Sequence, residues 1–340
     1  MKETLAAGVV LTALLFTVSW LHSRQEAVPE LPQTEVISTQ RVEETPPAQI
    51  SLKDSDIELR VKIDGAVQRM TMADYLPGVI RGEMPPDFSP EALKAQAVAE
   101  RTYICYQMEK GAKAAHPDAD VCDDPNCCNA YLNETEARER WGDNFAAWEK
   151  KVRSAASETD GMIMLYADAP IMAVFHSSSA GMTAACGDVW SADLPYLVSV
   201  KSPETAAGVP NYYSVKTVSA DEFRQTFSAA HPDADFSGTW ITGRTEDGSG
   251  RVESLTVGGV TVSGSEMRNL YRLRSTCFTV EVGEEVTFHV TGYGHGVGMS
   301  QYGAEELARQ GKSWQEILQW YYTDIQIGGY TNGEMSGILS

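Results

Sequence analysis

Residues 5–21 form an apolar run of seventeen residues broken only by Thr12, Thr17 and Ser19, and this run decides how much of the chain is left to fold in water. At about 1.5 Å per helical residue it is just long enough to cross a bilayer without tilt. Residues 1–24 are therefore read as a cytoplasmic end and a single transmembrane anchor. Trp20-Leu21-His22-Ser23-Arg24 lacks the alternating small residues that a cleavage site wants, which favours an uncleaved anchor; a signal that is removed is the alternative. Lys2 on one side faces Arg24 on the other, so charge alone leaves the orientation open. Residues 25–52 carry Pro29, Pro32, Pro46 and Pro47 among Glu26, Glu30, Glu35, Glu43 and Glu44, an acidic, Pro-rich composition that stays extended and reads as a tether.

The rest has the make-up of a packed body. The chain of 340 residues is 43% hydrophobic and 22% charged, and 47 acidic against 27 basic side chains leave a net charge of −20. That field repels a phosphate backbone, which argues against nucleic acid as a partner. Residues 57–63 alternate apolar and charged side chains and meet 67–70 across Asp64-Gly65, the pattern of a hairpin. Thr71, with Asp74 three residues on, caps a helix to about Arg81 that Pro77 is expected to kink, and Ser89 before Pro90 opens a helix over 90–110. Glu83 falls at the junction between them. A second hairpin is expected from 162–165 and 171–176, a third from 252–257 and 260–262, and further helices at 142–156, 220–229, 264–271, 301–311 and 313–322. Without regular alternation of strand and helix the class is α+β, mixed helices and short antiparallel hairpins over 53–328, with a loop insertion at 112–130 and a flexible tail at 329–340.

Four constellations carry chemistry. Gly82-Glu83-Met84-Pro85-Pro86 sets a carboxylate beside a rigid turn, where Met84, Pro85 and Phe88 supply apolar cover that would raise its pKa; a loop glutamate is otherwise an ordinary solvated residue. Phe175-His176-Ser177-Ser178-Ser179-Ala180-Gly181 offers hydroxyls that donate and accept as a sugar requires, and no nucleophile elbow surrounds them to make a hydrolase triad. Between Gly292 and Gly303 five glycines in twelve residues let the backbone approach something closely, and no Lys-Ser or Lys-Thr follows to make a phosphate loop. His116, Cys122, Cys127 and Cys128 lie within thirteen polar, turn-rich residues. Three thiolates and an imidazole complete a tetrahedral zinc shell, and with all four positions filled by protein the zinc would be structural. A disulfide from Cys122 to Cys127 or Cys128 is the alternative. The pairing of Cys105, Cys186 and Cys277 stays open, and Trp314, Trp320, Tyr321 and Tyr322 read as core.

The Glu83, Ser177 and His295 motifs, in this order, resemble those of the stage II sporulation protein D family of peptidoglycan lytic transglycosylases, and the resemblance covers about residues 55–328. It implies one catalytic body with Glu83 as acid and base, and zinc in the His/Cys insertion. It also implies substrate contacts from Lys94 and Arg101 on the helix after the turn, from Ser177 and Ser178, from Tyr196 in Leu194-Pro195-Tyr196-Leu197, and from His295, Ser300 and Gln301. It further implies glycan strands stripped of stem peptides as substrate, with a partner amidase, stage II sporulation protein P, and a membrane protein, stage II sporulation protein M. The setting implied is the mother-cell septal and engulfing membrane of a spore former, with the body outside the cytoplasm.

Overall fold

The computed structural model describes residues 51–190 and 192–331, all within one compact unit that spans Gln49–Ser340. The anchor expected at 1–24, nearly all of the tether and the tail beyond residue 331 lie outside the described residues. Among the described residues no helix is long and apolar enough to cross a membrane.

The folded part opens on the expected hairpin, β1 (Glu58–Ile63) and β2 (Ala66–Thr71). Asp64 and Gly65 take φ of 51° and 80°, the left-handed pair whose twist matches two antiparallel strands. Thr71 Oγ1 accepts the Asp74 N–H at 3.2 Å and starts α1 (Met72–Glu83), which runs through Pro77 as one helix and buries Tyr75, Leu76, Val79 and Ile80. Met84 turns extended ahead of Pro85, because a residue before proline is pushed out of the helical region. Glu83 is thus the last residue of α1.

The second helix, α2 (Pro90–Lys110), is the strut of the body and is buried on nearly every side from Ala92 to Gln107. Ser89 precedes it as expected, but its hydroxyl donates to Glu305 at 3.1 Å and makes no cap hydrogen bond. β3 (Val121–Cys122) adds to β1 in parallel. The helix expected at 142–156 forms as α4 (Phe145–Glu158), and ahead of it stands one that was not expected, α3 (Glu134–Trp141), which the Asn133 and Glu136 capping box starts and Gly142, at φ 53°, ends. In the expected second hairpin, β4 (Met162–Tyr166) meets just the short β5 (Ala169–Pro170). The expected arm over 171–176 does not form whole: Ile171 N donates to Met164 O at 3.2 Å, and the backbone then folds away from the ladder through tight turns, Ala173 N to Ile171 O and Val174 N to Met172 O, both 2.9 Å. What remains is β6 (Phe175–His176). After it comes one helical turn, α5 (Cys186–Val189).

Residues 213–291 form a second layer with its own apolar core, and no pattern in the sequence marked it as separate. β7 (Tyr213–Ser219) leads into α6 (Ala220–Ala230); β8 (Ile241–Glu246), β9 (Val252–Val257) and β10 (Val260–Ser263) make an antiparallel sheet; α7 (Gly264–Tyr271) follows. β11 (Phe278–Val282) and β12 (Glu285–Thr291) then return to β7. Phe223 is the hub, stacked on Tyr271 at 4.8 Å and on Trp240 at 5.9 Å. The chain leaves and rejoins the first layer at one place, where Thr291 pairs with Tyr213 and Gly292 N donates to Tyr212 O at 2.8 Å.

The remaining elements close the first layer. β13 (Met299–Ser300) pairs in parallel with β6, α8 (Gln301–Arg309) and α9 (Trp314–Tyr321) pack on α2, and β14 (Gln326–Gly329) pairs with β4. The body therefore runs past residue 328, where the loose tail was expected to begin. Gly328 and Gly329 pair with Ile163 and Met162, Tyr330 is buried, and its carbonyl accepts Leu52 N–H at 2.8 Å.

Candidate active site

The C-terminus of α1, the loop between Cys122 and Tyr131, and the glycine segment after β12 converge on a cleft of about 530 Å³. Glu83 lines it, and its Oε1 accepts the Ala130 backbone N–H at 2.6 Å. The backbone carbonyl of Glu83 accepts Gln301 Nε2–H at 3.1 Å, so the residue is held from two sides. Burial raises the Glu83 pKa above the ordinary carboxylate value, against the opposing pull of the Ala130 and Gln301 hydrogen bonds. The helix reaches this loop because Gly82 has no side chain: a methyl there would sit 2.7 Å from the Ala130 carbonyl carbon.

Ser177, His295 and Gln301 share the cleft with Glu83. The other expected contacts do not. Ser178 is buried and spends its backbone on a two-way bridge with Tyr293 at 3.0 and 2.9 Å. Ser300 is buried, donates to Glu204 Oε1 at 2.6 Å and caps α8 through Gly303 N. Tyr196 packs on Tyr166, and its hydroxyl accepts Met172 N–H at 3.1 Å. Lys94 pairs with Glu91 at 2.9 Å and Glu158 at 2.7 Å, away from the cleft. Arg101 is 0% exposed; its guanidinium donates to Asp54 at 2.6 and 2.8 Å and to the carbonyls of Met162 and Ala156. Their seven-residue spacing does place them on one side of α2, but α2 is enclosed, so that side meets α4 and the β4 region instead of solvent.

The cleft also holds residues that the motifs did not single out. Asn126 and Asn129 from the loop, Tyr103 from α2, Arg268 from α7 and Tyr293 all line it. His176 is buried behind, Nε2 2.7 Å from Ser179 Oγ and Nδ1 3.1 Å from Val297 O. Burial lowers the His295 pKa to about 4, with the Arg268 and Arg251 guanidiniums adding to it, and burial with His295 and Arg251 pushes His176 well below the imidazole range. Both rings are neutral at neutral pH. The glycine segment approaches the protein itself: at Gly294, φ 113°, a methyl would fall 2.7 Å from His176 Cβ, and at Gly296, φ 88°, 2.4 Å from the Arg251 guanidinium carbon. Arg251 is buried and none of its side-chain nitrogens has a hydrogen-bond partner among the described residues.

One wall of the cleft is the His/Cys loop. The donor atoms of His116, Cys122, Cys127 and Cys128 lie within 4.8 Å of one another, and all six cysteines are free of disulfides. His116 Nδ1 is engaged with Ala119 O at 3.0 Å, which leaves Nε2 turned to Cys128 Sγ at 3.3 Å. Sulfur donors in a tetrahedral zinc shell, with bonds of about 2.3 Å, stand roughly 3.8 Å apart, so this cluster fits such an ion. β3 pins Cys122 against β1, and the Asp124 carbonyl accepts the N–H groups of Cys127 and Cys128 at 2.9 and 2.8 Å.

The family model described as Stage II sporulation protein, SpoIID, matches residues 62–166, a span that includes Glu83 and all four loop donors. Stage II sporulation protein D of Bacillus subtilis (strain 168) is 32% identical over 328 residues, covering 96% of this chain and 94% of the relative. Stage II sporulation protein D of Bacillus amyloliquefaciens is 35% identical over 289 residues, 84% of this chain and 83% of the relative. A protein named Amidase enhancer from Bacillus subtilis (strain 168) is 28% identical over 75% of this chain and 40% of its own length.

Proposed function

The chain belongs to the stage II sporulation protein D family, and from that premise we propose that it is a lytic transglycosylase that cuts peptidoglycan strands between N-acetylmuramic acid and N-acetylglucosamine. The observation that carries this reading is that Glu83 is the single carboxyl group among the residues lining the cleft. Glycoside hydrolysis normally takes two. One suffices when the C6 hydroxyl of the muramic ring, tethered beside its own anomeric carbon, takes the place of water.

Glu83 Oε1 accepts the Ala130 N–H, so the acid proton sits on Oε2. That proton passes to the linkage oxygen as the C1–O bond breaks. The C6 oxygen bonds to C1, its proton passes to the Glu83 carboxylate, and a 1,6-anhydro end is left with the acid restored. The raised pKa keeps Glu83 protonated further up the pH scale. Neutral His176 and His295 place no positive charge nearby that would pull this pKa down. When held by His116, Cys122, Cys127 and Cys128, zinc would cross-link the loop that carries Ala130, and no coordination position remains for a reacting water.

The reading extends to residues 1–24 as anchor, with the body outside the membrane, working on strands that a partner amidase has stripped. Likeness to a protein named Amidase enhancer supports that pairing. It also favours a second reading, in which the chain binds glycan and stimulates an amidase without cutting. Digestion of peptide-free glycan followed by mass spectrometry separates the two. Fragments lighter by one water than hydrolysed ends, and lost in Glu83→Gln, support transglycosylation; reducing muramic ends indicate a hydrolase. Intact strands together with a faster amidase support the second reading.

A further inference from the structure

Beside the Glu83 cleft lies a second groove of about 400 Å³ that shares Asn126, Arg268 and Tyr293 with it. Arg268, Arg272 and Arg274 line this groove, and no Asp or Glu does. In a chain of net charge −20 that is a local reversal of sign. Most arginines of the body are taken up by carboxylates, Arg60 by Asp120, Arg81 by Glu149 and Arg101 by Asp54 among them. These three have no acidic partner within ion-pair distance among the described residues, and the Nε atoms of Arg268 and Arg274 are buried without a hydrogen-bond partner.

The segment is held in place. Arg272 stands at φ 52° just past α7, Leu273 is buried, the Arg274 carbonyl accepts Gly294 N–H at 2.9 Å, and the Arg274 guanidinium lies 3.9 Å over the Tyr293 ring. Three like charges kept this close without counter-charge repel one another, and an anion relieves that repulsion. The planar fork of a guanidinium matches a carboxylate with two parallel N–H···O bonds.

Resting on the glycan reading of the adjoining cleft, we propose that Arg268, Arg272 and Arg274 form a carboxylate subsite that takes the free lactyl group of a peptide-stripped muramic acid residue next to the linkage being cut. With a stem peptide in place that group is an amide, neutral and extended by a chain. After removal it is a compact anion. The groove thereby reads the stripped state directly.

The test is binding by the full chain carrying Glu83→Gln, so that it holds whether or not the parent cuts glycan. The probes are stripped glycan fragments, the same fragments with their lactyl carboxyls converted to N-methylamides, and peptide-bearing fragments. Charge-assisted hydrogen bonds lost on amidation lead us to expect roughly tenfold tighter binding of the carboxylate form. Adding Arg272→Gln and Arg274→Gln should make the two stripped forms bind alike, with the melting temperature as control for folding; Arg272 is exposed, so its single variant serves if the pair unfolds. Equal binding of carboxylate and amide by the Glu83→Gln chain overturns the proposal. So does peptide-bearing glycan bound more tightly than stripped glycan through the same arginines, which would put the anion on the peptide. Failure of the parent to release anhydro ends would defeat the mechanism at Glu83 and leave this result standing.

Discussion

Glu83 Oε1 lies 2.6 Å from the Ala130 backbone nitrogen, so the cleft carboxyl is oriented by the loop that also bears the His/Cys cluster, only two residues past Cys128. Catalytic geometry and loop geometry are one problem. The contact depends on α1 coming close enough for backbone to meet backbone, which Gly82 permits. In Gly82→Ala a new methyl meets the Ala130 carbonyl carbon and oxygen at 2.7 Å, neither of which is the end of a flexible side chain. Overpacking of this kind costs about 1–3 kcal/mol. Chemical denaturation should show that loss, and glycan cleavage should fall further than stability explains, because the donor to Glu83 is displaced. Full activity in a variant of lowered stability would disconnect the loop from the carboxyl.

Metal removal follows from the same contact. A chelator that strips zinc from thiolates should make Cys122, Cys127 and Cys128 reactive to a thiol reagent and lower the melting temperature, because a short polar loop is otherwise held by few apolar contacts. Cleavage should decline in step with the melting temperature. A protein that keeps its melting temperature under chelation while losing activity would point to a metal that takes part in the chemistry.

Legibility of the chain divides along the distance between partners. The β1–β2 turn, the Thr71 cap and α7 were readable because each is settled by residues within a few positions of each other. The β6–β13 pairing is two residues long and joins Phe175 to Met299, which no local pattern announces. β7 carries Tyr213 and Val215 on its exposed side, which blurs the apolar alternation that marks a strand, and the second core went unseen with it. At the site, Glu83, Ser177, His295 and Gln301 stood out through their motifs. Arg268 and Tyr293 reach the cleft only through the returning second layer.

Arg101, a substrate contact by resemblance, is built into the core beside Asp54. Its fork closes on Asp54 with both groups buried, a pair whose loss on one side leaves an uncompensated charge. Removing one partner of such a pair costs about 3–5 kcal/mol. Arg101→Met and Asp54→Asn should therefore each lower stability strongly, and the double variant should lose less than their sum. A substrate role would instead raise KM in a protein of parental stability, so denaturation curves and KM measured side by side decide between them.

Glu100 gives a pH dependence of stability. It is wholly buried, Oε1 accepts from Gln96 at 2.9 Å, and Oε2 has no partner among the described residues. Burial, reinforced by the charge of Glu83, raises its pKa well above the carboxylate value. A carboxyl whose pKa is higher folded than unfolded contributes stability that is fully present below the unfolded value, about 4.3, and is lost as pH rises through the folded one. Glu100→Gln keeps the shape and removes the titration. The variant should match the parent in acid and exceed it in mild alkali, and denaturation midpoints that differ by the same amount at both ends of the range would refute the buried-acid account.

Cleavage itself should carry the signature of Glu83. The step needs its protonated form, so activity should fall as pH rises through the folded pKa, which burial places above the ordinary carboxylate range. Hydrogen bonds to a carboxylate favour the charged form and lower its pKa. The Gln301 amide lines the cleft with the carboxyl and pulls its pKa the same way; Gln301→Met removes that donor, so the alkaline limb of the kcat profile should move to higher pH, while Glu83→Gln should cost roughly 10²–10⁴-fold or more in rate at every pH. The Gln301 variant also loses the 3.1 Å bond to the Glu83 carbonyl, which can lower the maximum rate without moving the limb. Direction of the shift is therefore the measurement that counts: a limb that stays in place or moves to lower pH would mean that Glu83 is not the group whose proton limits the reaction.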